Sequence, residues 1–195
     1  MGIPAITVVG RTAVCGTGHL QLVHLTCQRP DGRTHVWDAV ERPRGVRDVV
    51  VVFPVTLDRK VILIEQFRPP NETRALELPA GLCDIPGEPF EAAALRELQE
   101  ETGYAGEILH QTPPSAESSG MIVSRLHLFI AAAMDRGEPK HDPAETFMAP
   151  LVWEFPLDDL PGALLRYALE CPKNLIDPKI LTGYAWWKHF EGGET

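Results

Sequence analysis

Apolar residues dominate two stretches, 49–56 and 61–68, with Leu57-Asp58-Arg59-Lys60 as a turn between them, and the pattern predicts a pair of strands. Upstream of about Arg47 shorter apolar and polar stretches alternate. The turn signal Arg29-Pro30-Asp31-Gly32 joins residues 20–27 to 34–40 as a hairpin in a small antiparallel sheet. Residues 126–134 read as a further strand, ended by a loop at 135–145 that carries Gly137, Pro139 and Pro143. Three other segments follow the helical period. With Pro89 as first helical residue, Phe90, Ala94, Leu95 and Thr102 fall within roughly 80° of Leu98 on a wheel of about 100° per residue. A second helix is expected at 161–169, with Pro161 in its first turn, and a third after Asp177-Pro178. In the third, Ile180, Leu181, Tyr184 and Trp187 recur at helical spacing and are expected to face the core, with Trp186 and Phe190 toward an interface.

The first helix ends in an unusual concentration of charge, Arg96-Glu97-Leu98-Gln99-Glu100-Glu101-Thr102-Gly103-Tyr104. On the same wheel Glu101 lies about 60° and Glu97 about 100° from Leu98, on the shoulder of the apolar stripe, whereas Glu100 at about 160° points toward solvent. Two carboxylates ~6 Å apart at an effective dielectric near 20 repel by roughly 3 kcal/mol. Either their pKa values rise or a cation joins them, and a divalent metal relieves the repulsion best. Arg96, one turn before Glu100, is placed to pair with it and orient it.

In front of the helix, Leu78-Pro79-Ala80-Gly81 closes an extended stretch and Asp84-Ile85-Pro86-Gly87-Glu88-Pro89 forms a turn. A sharp turn at Gly81 is expected to leave the Ala80 carbonyl free to face a cation. Gly81, Glu88, Arg96, Glu97, Leu98, Glu100, Glu101 and Gly103, with Tyr104 in the last apolar slot, resemble the signature of the Nudix hydrolases, with one residue more between Gly81 and Glu88 than the pattern has. Glu65-Gln66-Phe67-Arg68-Pro69-Pro70 and Glu77-Leu78-Pro79-Ala80-Gly81 resemble the ADP-ribose pyrophosphatase branch, which cleaves nucleoside diphosphate sugars. Where many of its enzymes have proline before a glycine, this chain has Ser118-Ser119-Gly120.

The resemblance implies an α/β fold, an α/β/α sandwich around a mixed sheet, preceded by the small antiparallel sheet. Residues 1–47 are then a dimerisation element and 48–195 the hydrolase domain of a homodimer. It implies magnesium (Mg2+), with manganese (Mn2+) as a substitute, held by Glu97, Glu101, Glu100 and the Ala80 carbonyl. It also implies that Arg96 orients the glutamates and that Glu145 in the 135–145 loop, ahead of Asp142 and Glu138, completes the cluster or acts as base beside Glu100. Arg68 and Glu77 correspond to substrate contacts. Arg42, Arg44, Arg47 and Arg74 are further cations around the predicted site. Trp37 either stacks on the base or serves the core or dimer interface.

Composition narrows the picture. The chain has 195 residues, 44% of them hydrophobic, enough for a sizeable core. Its mean hydropathy is −0.08, and no apolar run approaches the ~20 residues of a membrane helix. Met1–Ile6 lacks the features of a signal peptide, and cytoplasmic residence is expected. Cys15, Cys27, Cys83 and Cys171 show no paired spacing, and the seven histidines show no ligand spacing. A net charge of −9 argues against a broad nucleic-acid surface, although bound metal would invert the field locally for a phosphate substrate. Metal-dependent hydrolysis of a nucleotide sugar is the expected activity. Another diphosphate, such as a dinucleoside polyphosphate, and a module that senses a nucleotide sugar without cleaving it stay open.

Overall fold

The computed structural model describes residues 5–42, 45–139 and 149–193. The chain divides into two compact units, Met1–Asp48 with Ser115–Leu126, and Val49–Pro114 with His127–Thr195. Residues 115–126 thus join the N-terminal sheet, although they lie far beyond residue 47 in sequence.

The first unit contains an antiparallel sheet of β1 (Thr7–Gly16), β2 (Gln21–Gln28) and β3 (Thr34–Glu41), in that order. The β2–β3 hairpin runs in register from Gln28 opposite Thr34 to Gln21 opposite Glu41. Its turn places Gly32 at φ 84°, where a side chain would be strained. Strand β1 was not singled out by the pattern. Nine of its ten residues are exposed, so no one-sided alternation marks it. Glu41 is buried and accepts hydrogen bonds from Arg11 and from Gln21 Nε2, the latter at 2.9 Å.

The second unit is built on β4 (Asp48–Thr56), β5 (Lys60–Arg68), β6 (Thr73–Glu77), β7 (Ala80–Leu82), β8 (Tyr104–Gln111), β9 (Arg125–Arg136), β10 (Leu151–Pro156) and β11 (Leu175–Ile176). Among the described residues they form one sheet with the path β11-β6-β5-β4-β9-β8, β10 pairing with β5 and β7 with β4. The β11–β6 pair is parallel and β5–β6, β8–β9 and β10–β5 are antiparallel, so the sheet is mixed. Helices α1 (Phe90–Thr102), α2 (Leu160–Glu170) and α3 (Lys179–Glu191) complete the unit.

The unbroken apolar run in β4 reflects burial on both faces. Val50 and Val52 pack with Ala93, Ala94 and Leu98 of α1, while Phe53, on the alternate face, lies against Gly183 of α3. The core side of α3 therefore differs from the expectation. Ile180 and Gly183 are buried, Tyr184 and Trp187 are half-buried, and Leu181 is 48% exposed. The Phe53 ring fills the space that a side chain at 183 would need. Gly183→Val is expected to lower stability by about 1–3 kcal/mol, read as a lower denaturation midpoint at unchanged slope.

Candidate active site

Helix α1 begins one residue later than predicted. Pro89 has ψ 147° and stands as N-cap, its carbonyl accepting the Ala93 N–H at 3.0 Å. The helix ends at Gly103, whose φ of 78° lets its N–H reach Gln99 O at 2.9 Å. Tyr104 then enters β8 with its ring in the core and its hydroxyl donating to Glu154 Oε1 at 2.8 Å. An aromatic ring serves in the aliphatic slot because its polar tip finds a partner.

Glu97, Glu100 and Glu101 are all half-buried, and Glu97 and Glu100 follow the order of the wheel, the Glu97 side chain being 14% exposed and that of Glu100 39%. Strand β7 lies beside them through its antiparallel pairing with β4, Ala80 opposite Val51 and Gly81 opposite Val50. The Ala80 N–H donates to Glu101 Oε2 at 3.0 Å. Gly81 is not the sharp turn that was expected, for it is a strand residue without positive φ. Its missing side chain matters for another reason: a Cβ at 81 would fall on the Glu97 carboxylate. Of the two backbone groups of Ala80, the N–H rather than the carbonyl is the one tied to a glutamate.

Arg96 gathers three carboxylates. Its Nε and Nη2 donate to the two oxygens of Glu88 at 3.0 and 3.1 Å, and Nη1 donates to Glu97 Oε1 at 2.7 Å and Glu100 Oε2 at 3.1 Å. These bonds, with Glu88 first, raise the guanidinium further above its ordinary range. The extra residue in the loop is accommodated by Gly87 at φ 82°, and Glu88 supplies a bidentate partner that the sequence had left without a role. Among the described residues, no arginine or lysine is paired with Glu101 in this way. Burial pushes its carboxyl up to about 8, Glu97 and Glu77 add to the rise, and the Ala80 N–H and Arg68 oppose it.

On β5 and β6, Arg68 and Glu77 form a closed pair: Arg68 Nε donates to the Glu77 oxygens at 3.1 and 2.9 Å, and Nη2 lies 2.6 Å from Oε2. Gln66 Nε2 also donates to Glu77 Oε2, at 2.9 Å. The sequence had not nominated Gln66, yet the period of two in β5 puts it on the face of Arg68, and that was the available signal. Trp37 and Arg42 belong to the first unit. Trp37 is 50% exposed, not a core residue, and its indole N–H donates to Gly120 O at 2.9 Å, while Arg42 is half-buried just after β3. Arg47 is exposed, and Arg74 lies 3.5 Å from Glu65. Glu138 is exposed, whereas Arg44, Asp142 and Glu145 fall outside the described residues.

Residues 45–175 match the NUDIX domain. The chain belongs to the Nudix family. An ADP-sugar pyrophosphatase of Mus musculus is 43% identical over 110 residues, 53% of this chain and 50% of that protein. A methanol dehydrogenase activator of Bacillus methanolicus is 33% identical over 152 residues, 78% of this chain and 76% of that protein. An ADP-ribose pyrophosphatase of Bacillus subtilis is 35% identical over 113 residues, 58% of each chain. The matches thus span about half of the two named pyrophosphatases. A solved ADP compounds hydrolase superposes with a TM-score of 0.75 at 20% identity, covering 100% of this chain and 98% of that one, and shares the α/β fold.

Nudix hydrolases depend on a divalent metal. The donors around Glu97, Glu101 and Glu100 are all hard oxygens, and the rise of Glu101 comes from burial and negative neighbours, a field that a cation compensates. Among the described residues no group of three or more His, Cys, Asp or Glu converges into a metal cage. The oxygens of these glutamates fit a hard divalent cation.

Proposed function

We propose that this Nudix protein hydrolyses the diphosphate bond of a nucleoside diphosphate sugar, ADP-ribose or a related compound, to a nucleoside monophosphate and a sugar phosphate. The observation that carries the reading is the placement of Glu97 and Glu101, one helical turn apart, against the backbone of Gly81 and Ala80, with Arg96 holding Glu97 and Glu100. Names of the relatives, ADP-sugar and ADP-ribose pyrophosphatase, support the substrate class.

In this reading Glu97, Glu101, Glu100 and the Ala80 carbonyl hold Mg2+, with Mn2+ as a substitute. When bound, the metal neutralises phosphate charge and makes water a stronger nucleophile at neutral pH. Arg96 fixes the rotamers of Glu97 and Glu100 by donating to both from Nη1 and offsets their mutual repulsion. Glu100 or Glu145 takes the proton of the attacking water as one bridging P–O bond breaks. Arg68, Glu77, Trp37 and Arg42 bind the substrate, Glu77 oriented by Gln66 and Arg68 before any ligand arrives. The N-terminal sheet pairs two copies into a homodimer, and the protein acts in the cytoplasm.

The test is phosphate-coupled turnover of ADP-ribose, GDP-mannose, UDP-glucose and diadenosine polyphosphate with magnesium or manganese. Metal-dependent release from the sugar-linked diphosphates is expected. Preference for the diadenosine compound would move the assignment to dinucleoside polyphosphates, and tight binding of a nucleotide sugar without turnover would make the protein a sensing module.

A further inference from the structure

Glu65 precedes Gln66 in β5, so its side chain points to the other face of the sheet. Gln66 and Arg68 share the period-two row of Ile62, which packs with α1, whereas Glu65 meets α2. It is a carboxylate with 5% of its surface exposed, and neither the glutamate cluster nor the substrate contacts include it.

Three elements converge on Glu65. The Tyr167 hydroxyl of α2 donates to its Oε2 at 3.0 Å and itself accepts from Asn174 Nδ2 at 2.8 Å. Arg74 Nη1 of β6 reaches Oε1 at 3.5 Å. Burial pushes the Tyr167 phenol up to about 12, against the opposing bond from Asn174 and with Glu65 adding to the rise, so the hydroxyl keeps its proton at neutral pH. Its ring meets those of Trp153 and Phe155 edge-on, with centroids 6.2 and 6.0 Å away.

Asn174 carries the chain of bonds to the outer edge of the sheet. On either side of it the backbone hems β6: Thr73 Oγ1 donates to Lys173 O at 2.7 Å, Leu175 and Ile176 pair with Ala75 and Leu76, and the Asp177 N–H donates to Leu76 O at 2.9 Å. One carboxylate thus ties three neighbouring strands. It belongs to β5, takes Arg74 of β6 directly, and reaches the β11 segment through Tyr167 and Asn174. On the opposite face the same two strands, β5 and β6, carry Gln66 and Arg68 bonded to Glu77, and the charges of Arg68 and Glu77 both act on the Glu101 carboxyl. Burying a carboxylate is costly, and an apolar side chain would join the sheet to α2 at less cost. Directional bonds add what apolar packing does not, a single setting of β6 along β5.

We propose that Glu65 is a positioning residue for substrate binding, which sets β6 against β5 through Arg74 and the Tyr167–Asn174 chain and so holds Glu77 where Arg68 and the nucleotide sugar meet it. This rests on the diphosphatase reading above.

Tyr167→Phe keeps the ring and removes the hydroxyl. It is expected to raise the KM for ADP-ribose by about three- to tenfold, the scale of one lost hydrogen bond, with kcat within about twofold because the α1 glutamates are untouched. Asn174→Ser, which removes the outer donor at a half-buried position, is expected to move KM in the same direction. Because the network acts through the Arg68–Glu77 pair, Tyr167→Phe should add little to the KM of Arg68→Ala. A tyrosine that only stabilises the fold would lower the denaturation midpoint and leave KM where it was. An unchanged KM in Tyr167→Phe, a fall in kcat at unchanged KM, or full additivity with Arg68→Ala would each overturn the proposal. Should Tyr167→Phe fail to fold, Asn174→Ser alone and combined with Arg68→Ala decides by the same criteria. The Kd for ADP-ribose by calorimetry with chelator present carries the same expectation without turnover, so a wild type that binds but cleaves no diphosphate sinks the diphosphatase reading and leaves this test intact.

Discussion

Replacing Glu101 by Gln is expected to reduce turnover by about two to three orders of magnitude, the scale of several kcal/mol of lost charge stabilisation, while making the metal-free protein more stable at alkaline pH. Both effects have one origin. The Glu101 carboxyl is pushed up to about 8 by burial, with Glu97 and Glu77 as negative neighbours. Its folded-state pKa lies above the ordinary value of 4.5, so the folded state holds this proton more tightly than the unfolded chain does. The resulting stability is present in full below the ordinary carboxylate range and is lost as pH rises through about 8. Metal-free wild type should therefore lose melting temperature across this window, and Glu101→Gln, with no proton to lose, should be flatter. Added magnesium at about pH 8 should restore the wild type by mass action and leave the variant unmoved. Melting curves with and without chelator at the two ends of the window decide it. Equal pH slopes, or equal stabilisation of both proteins by magnesium, would remove Glu101 from the metal site.

Gly81→Ala is the second substitution with a large expected effect, and it changes one methyl group. The added Cβ would occupy the place of the Glu97 carboxylate, so Glu97 must leave its position or β7 must shift from β4. In the first case the Glu97 carboxylate is lost from its place beside β7, and in the second the Ala80 N–H, bonded to Glu101 at 3.0 Å, is disturbed as well. Turnover is expected to fall by about one hundredfold or more, in the range of a misplaced catalytic group. Stability should change by no more than about 1–3 kcal/mol, as for overpacking elsewhere. Kinetics with a magnesium titration, alongside denaturation, separates the two: a variant of normal activity and metal affinity would show that the close approach of Gly81 to Glu97 has no functional weight.

Much of the site was legible in the sequence because it lies on one regular element. A helix of fixed pitch converts spacing into direction, and the wheel alone placed Glu97 nearer the buried side than Glu100, as the structure shows. Strands β4 and β5 were legible for a related reason: both faces are covered, and the apolar runs are long and uninterrupted. Strand β1 was not, because a strand exposed along nearly its whole length carries no periodic mark. Leu181 misled because helical spacing identifies a stripe without saying which of its edges meets the sheet, and Phe53 had already filled the space at Gly183.

The sequence by itself determined the family, the helix that aligns the carboxylates, and the pairing of acidic residues with Arg96 nearby, since each of these depends on contacts within a few residues. Tertiary structure alone decided that Gly81 is a close approach rather than a turn, that the Ala80 N–H holds Glu101, that Glu88 is the bidentate partner of Arg96, and that Gln66 and Arg68 close on Glu77. It also decided that residues 115–126 join the N-terminal sheet and that Trp37 binds Gly120. Local spacing sets the direction of a side chain along its own element. What that side chain meets depends on strand register and on which distant segment packs there, and these follow from burying the core as a whole.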